Sequence, residues 1–496
     1  PTGTFTLQEA PSFAWRANIL NSLRSAFSRT STWIICCMVI IGFIASSEMI
    51  GVSSFCRFWG VGGSTYNVFL NFFRSTAWSV EALAFQWASF VLSQNVIIQR
   101  QERAVLLGDH TCVPKDARRM PGVATLHQHS ETQSKPSYFR GHFWGAVSAL
   151  VGTASAPFSL PLLLSIHLGQ VHIGEEQSPE SEEKSETLGS RIVNMAIDFA
   201  LKHDVPSTLV LDAFFPSQAV FRLAGSIYSI ELRRPLLTLI VRAKRNCVAF
   251  YPAKKPPKGK PGRRPKYGEK VKLMELFDHE HLFQRTRCLV YNKPEAVSLA
   301  VFDLLWKPTG TMLRFVLAVT SLGPIVLMCS DLDQDPKVAL ELYCARTRIE
   351  TMFDMLKNLI GAFCYRFWSK RMPQHSRKPL KNKNLKKPNE QSLPTVRHCW
   401  EACERFAMLG AVSLGILQLL SLKFKNSIWD RYEGFLRTQS RELPSERTVK
   451  QVMQSLLSQD FYSSAPAAIM RKILSRYFCG KAPFSRNSSC SDHEAA

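Results

Sequence analysis

Between Asp335 and Gly361 the chain reads DPKVALELYCARTRIETMFDMLKNLIG, and four of its side chains could act together. At about 100° per residue, Tyr343, Arg346, Glu350 and Lys357 fall within a helical sector of about 60°. Val338, Leu342, Ile349, Phe353, Leu356 and Ile360 form an adjoining apolar stripe that a core would bury. A carboxylate flanked by Arg, Lys and Tyr at a core edge could hold a metal ion and touch a phosphate. On an isolated helix the same residues would be ordinary surface pairs. Two further carboxylates end apolar runs: Asp109 in RAVLLGDHT and Asp212 in STLVLDAFF. The carboxyl edge of a strand is where open α/β sheets gather ligands and catalytic groups. Asp331, in GPIVLMCSD, ends a third such run and is the rival to Asp212.

The spacing Tyr343-x2-Arg346-x3-Glu350-x6-Lys357 resembles, without a gap, the Tyr-Arg-Glu-Lys signature of the insertion-sequence-four-like group of bacterial DDE transposases. The order Asp-x-Thr, Lys, Pro-Gly, His-Ser, Gly-His after Asp109 is similar to that family's first catalytic strand and hairpin. Asp212, followed by Phe214 and Phe215, stands in the context of its second Asp. This resemblance implies an α/β, RNase H-like core, a mixed sheet flanked by helices, with a β-rich insertion and helical N- and C-terminal regions. It implies catalytic and metal-holding roles for Asp109, Asp212 and Glu350, around two Mg²⁺ ions or Mn²⁺ in their place. Tyr343, Arg346 and Lys357 would contact DNA. The activity implied is metal-dependent cleavage and strand transfer in cut-and-paste transposition, with a homodimer pairing two transposon ends of double-stranded DNA. A bacterial cytoplasmic, nucleoid-associated location goes with it. Hard divalent ions want oxygen ligands, which suits a set of three carboxylates.

The elements that must position these residues follow from the rest of the chain. Asp335 suits an N-cap, Pro336 the first helical position and Gly361 a C-cap, predicting one helix of about seven turns. The separation of Asp212 from Glu350, 350 − 212 = 138 residues, is too long for a bare core and calls for an insertion. The boundaries predicted are 1–101 helical and DNA-binding, 102–242 the first part of the core, and 243–323 a basic β-rich insertion. Then come 324–368 the second part of the core, 369–397 a basic linker, and 398–496 a helical region, a candidate for dimerisation, with a disordered tail. In the insertion, Arg263, Arg264, Lys266 and Tyr267 lie in a Lys, Arg, Pro and Gly-rich stretch suited to phosphate contact. Trp306 is either a base-stacking side chain or a sheet core residue.

A net charge of +23 over 496 residues favours a polyanionic partner, nucleic acid before an anionic membrane surface. Thirteen cysteines without paired spacing fit a reducing compartment. Cys399-x3-Cys403 beside His398 lacks a second zinc half-site, and His127 and His129 take no assigned role. The start at Pro1 lacks the charged-then-apolar order of a signal peptide. The apolar run Trp33 to Ser46 is shorter than the roughly 20 residues a membrane span needs, which predicts a buried helix. GVGGS, at 60–64, lacks the Lys-Ser/Thr ending of a P-loop, so an ATP-driven enzyme is disfavoured. Two other readings stay open: a catalytically inactive transposase-derived DNA-binding protein, and a basic membrane-associated protein built around residues 33–46.

Overall fold

The computed structural model describes residues 18–127, 137–174, 186–229, 234–253, 265–379, 385–435 and 442–463. Helices α1 (Thr30–Ala45), α2 (Ser53–Trp59), α3 (Gly63–Arg74) and α4 (Val80–Ser93) come first. The apolar run from Trp33 lies in α1, where Cys36, Val39, Ile40 and Phe43 are buried. Gly60, at φ +61°, ends α2, and the GVGGS stretch turns the chain into α3.

Strand β1 (Arg103–Pro114) pairs antiparallel with β2 (Tyr138–Gly152), and β2 pairs antiparallel with β3 (Pro157–Ile166). Helix α5 (Leu188–His203) then crosses back, its N-cap Thr187 accepting from the Ser190 amide. It delivers β4 (Ser207–Leu211), which runs parallel to β1. Helix α6 (Gln218–Ala224) leads to β5 (Leu237–Arg242), parallel to β4. The spatial order β3-β2-β1-β4-β5 is a mixed sheet flanked by helices, in agreement with the predicted RNase H-like core. β4 reads STLVL and is buried at every residue, as a parallel strand covered on both faces must be.

The next strands do not fold apart from this sheet. They are β6 (Val248–Pro252), β7 (Tyr267–Lys272), β8 (Gln284–Val290), β9 (Lys293–Trp306), β10 (Thr311–Thr320) and β11 (Gly323–Cys329). β11 pairs antiparallel with β5, so the inserted strands extend the core sheet to 13 strands among the described residues.

The site-bearing segment departs from the single helix predicted. Helix α7 (Pro336–Ala345) is followed by a tight turn at Arg346 and Thr347, then α8 (Arg348–Asp354) and a wide π-helical turn, Met355–Ile360. The turn is closed by three-residue hydrogen bonds, Ile349 N to Arg346 O and Glu350 N to Thr347 O. Thr347 Oγ1 donates back to Cys344 O at 3.1 Å, a local bond that competes with the helical ladder. Both predicted caps hold: Asp335 Oδ1 accepts from Val338 N, and Gly361 ends the segment at φ +70°. Leu342, Ile349, Phe353, Leu356 and Ile360 of the apolar stripe are buried, while Val338 is half-buried.

Helix α9 (Leu393–Lys423) passes through the core, against β3, α1 and α3. The helical span Glu390–Lys423 is long and apolar enough to cross a membrane, yet its most apolar window is 89% buried inside the fold. Helix α10 (Glu446–Ser463) is capped by Ser445 and packs on α9 and α1.

Gly361 combines a left-handed backbone with a close neighbour, since a Cβ there would lie 2.9 Å from Met49 O and Cβ. Gly361→Ala is expected to lower stability by about 1–3 kcal/mol in urea unfolding. Gly62→Ala, at φ −72° with open space around it, is expected to change it by less than about 0.5 kcal/mol.

Candidate active site

Asp109 lies midway along β1, paired with Ala146 of β2. Its neighbour Gly108 has no room for a side chain, because a Cβ there would sit 2.6 Å from Ile192 of α5 and 2.8 Å from Leu211 of β4. That close approach packs α5 against the strand that carries the carboxylate. Asp212 follows the last residue of β4, on the strand beside β1. Glu350 comes from the first turn of α8.

One guanidinium joins these three carboxylates. Arg346 Nη1 donates to Asp109 Oδ2 at 2.7 Å, and Arg346 Nη2 donates to Glu350 Oε1 at 3.1 Å. Nη2 also lies 3.6 Å from Asp212 Oδ2, an ion-pair contact. The Arg346 side chain is 6% exposed and that of Asp109 21%, whereas that of Glu350 is 62% exposed. Tyr343, also buried, donates from Oη to Asp212 Oδ1 at 3.3 Å and accepts from Arg242 Nη1 at 3.2 Å. Lys357 Nζ donates to Thr111 Oγ1 at 2.6 Å, two residues along β1 from Asp109.

Burial pushes the Asp109 pKa up, and the Arg346 charge and the His110 amide only partly oppose that, so its net shift is upward. Burial would lower the Arg346 pKa, but the charges of Asp109 and Asp212 outweigh it and raise it. Burial, aided by the Asp212 charge, pushes the Tyr343 phenol up to about 12, so it stays protonated as a donor. The three carboxylates share the one charge of Arg346, while Arg242 and Lys357 are bonded to their neighbours Tyr343 and Thr111.

Asp331 is not part of this group. Ser330 N donates to Leu239 O, near the start of β5, and Asp331 lies 4.0 Å from Arg103 at the start of β1. It therefore sits at the opposite end of the strands from Asp212. Trp306 is 7% exposed and packs against Phe221 at 5.2 Å, in the position of a core side chain. Lys266 is exposed and Tyr267 half-buried against Phe250 in β6. Arg263, Arg264 and His129 lie outside the described residues, and His127 is exposed. Cys399 and Cys403 are buried free thiols on α9.

Three features escaped sequence reasoning. Arg242, ending the apolar run LTLIVR, could have been found by the strand-end rule that located Asp212. On the other face of β1, His110 Nε2 lies 2.9 Å from His167 Nδ1, and burial holds both imidazoles far below their usual pKa. Sequence gives no sign of that pair, which is set by β2–β3 register. Lys115, half-buried just after β1, donates to the carbonyls of Phe363 and Tyr365.

The donor chemistry of the three carboxylates suits Mg²⁺, which takes hard oxygen ligands. Among the described residues, however, no group of three His, Cys, Asp or Glu side chains is gathered closely enough to hold a metal ion. The intervening guanidinium spaces the three carboxylates apart.

Residues 32–286 match the family described as DDE superfamily endonuclease. The chain belongs to that family. The matched range includes Asp109 and Asp212 and ends before Glu350. No curated protein matches this DDE superfamily member. Among solved structures, the NurA nuclease from Sulfolobus solfataricus is similar at 9% identity, covering 59% of this chain and 93% of that chain with a TM-score of 0.21. A likeness that weak carries no argument.

Removing the guanidinium leaves Asp109 recessed without its counter-charge, so Arg346→Met is expected to cost about 2–4 kcal/mol at pH 7 in urea unfolding. Without Arg346 the Asp109 pKa rises further, and a carboxyl with a raised folded pKa is relieved as pH falls. The deficit is therefore expected to be largest at pH 7 and to shrink toward pH 4.

Proposed function

We propose that this protein acts on double-stranded DNA as a DDE transposase of the insertion-sequence-four-like group. Its proposed activity is divalent-ion-dependent phosphodiester cleavage and strand transfer at transposon ends. The observation that carries the reading is the meeting of Asp109, Asp212 and Glu350 around Arg346, residues drawn from three distant parts of the chain. Such carboxylates would hold Mg²⁺, which when bound activates an attacking oxygen and stabilises the leaving one. Arg346, Arg242, Lys357 and the Tyr343 hydroxyl would bind and orient the phosphates of the strand. A homodimer pairing two ends, in a bacterial cytoplasm, belongs to the same proposal.

A second reading is favoured by a specific observation. With the carboxylates held by Arg346 and no metal-holding group of three among the described residues, the arrangement as it stands supports a transposase-derived DNA-binding protein without cleavage better than it supports an assembled metal site. The two readings differ in what a DNA phosphate does on arrival. In the first it draws Arg346 away from the carboxylates; in the second the ion pairs persist.

The deciding experiment incubates the protein with Mg²⁺ and duplexes made from the inverted repeats flanking its gene. If the first reading holds, wild type nicks them and Glu350→Ala is slower by at least about 100-fold while still binding the duplex. Binding by both proteins with cleavage by neither establishes the second reading. Equal cutting by both removes the active-site assignment.

A further inference from the structure

The basic stretch after the site, predicted as a linker, begins as a fixed surface. From Tyr365 to Ser369 the side chains alternate. Tyr365 and Ser369 are buried and Phe367 is half-buried, while Arg366 and Trp368 face solvent, followed by exposed Lys370 and Arg371. Trp368 is 52% exposed. Successive outward residues of an extended segment lie about 7 Å apart.

The segment is held at several points by β1 and the loop after it. Besides Lys115, Arg119 Nη1 donates to the carbonyls of Lys370 and Met372 at 2.7 and 3.3 Å. Ser369 N donates to Arg119 O, and His375 N to Arg118 O. The inner ring of Phe367 packs on Tyr365 at 4.8 Å and on Tyr66 of α3 at 6.3 Å, and the Arg74 guanidinium lies 5.8 Å over it. Arg118 is exposed, so the post-β1 loop adds a cation, while Arg74 stays with the inward ring of Phe367. The acid in this loop, Asp116, is paired with Arg377.

We propose that Trp368, with Arg118, Arg366, Lys370 and Arg371, forms a binding platform for unpaired DNA. The Trp368 indole is half-exposed in a segment that also exposes Arg366, Lys370 and Arg371, and it suits a partner that is both polyanionic and aromatic. Single-stranded nucleic acid is bound in this way, by base stacking on aromatic rings within a positive groove. In a duplex the bases are stacked on each other and the ring has nothing to receive. The inference rests on the DNA reading above and adds the strand form recognised.

The test is fluorescence anisotropy with a labelled thymidine 20-mer and a matched duplex, using the full chain with Ca²⁺ in place of Mg²⁺. Trp368→Ala is expected to weaken single-strand binding at least about fivefold and duplex binding less than twofold, with Trp368→Phe keeping most of the affinity. Lys370→Ala with Arg371→Ala is expected to flatten the salt dependence for the single strand, by about 0.7 in log–log slope per cation. Matched thermal unfolding of the variants excludes a folding defect. If wild type binds both forms and Trp368→Ala changes neither, or weakens both equally, the platform is overturned and the DNA reading stands. If wild type binds neither form, the DNA reading itself falls.

Discussion

The contact between Arg346 and three carboxylates from distant parts of the chain is the constraint around which this molecule is arranged. A buried guanidinium needs counter-charges, and Asp109, recessed beside it, needs its donor, so this pair is the centre of the group. Meeting that demand requires β1 and β4 side by side, α7 packed on β4, α8 packed on β1 and β3, and a turn at Arg346 between the two helices. The tight turn and the following π-helical turn are the local distortions that go with that placement. Tyr343 and Arg242 extend the network outward, and Lys357 reaches β1 from the other side of Glu350.

The same network explains why one set of residues supports two functional readings. Arg346 pairs with all three carboxylates without any divalent ion. A phosphate strand brings negative charge of its own and competes for the same cations. Under the proposed function, metal binding at the carboxylates and DNA binding at the cations would be linked through Arg346, each lowering the cost of the other.

How much of this was legible beforehand depended on whether the signal was local. Asp109 and Asp212 were readable because each closes an apolar run, and the caps Asp335 and Gly361 because their residue types fit the backbone demanded. The mixed sheet was implied by the family resemblance that these motifs carry. The break at Arg346 was not readable, because Tyr343 to Lys357 is a good helical sequence and the distortion comes with long-range ion pairs. Trp306 illustrates the reverse case: its type suits stacking, but Phe221 and the sheet bury it. Trp368 gave no local signal, since its exposure depends on how the loop after β1 grips an otherwise linker-like stretch. The position of Asp331 likewise needed the antiparallel pairing of β11 with β5, which puts it at the far end of the strands.

The central claim is that Arg346 and Asp109 are energetically coupled across 237 positions of sequence. A double-mutant cycle in urea unfolding at pH 7, using Arg346→Met and Asp109→Asn singly and together, measures it directly. The expected result is a coupling of about 1.5–3 kcal/mol, the range of residues that share one buried charge network. Additive effects, to within about 0.3–0.5 kcal/mol, would mean that the two groups do not meet and would contradict the site described.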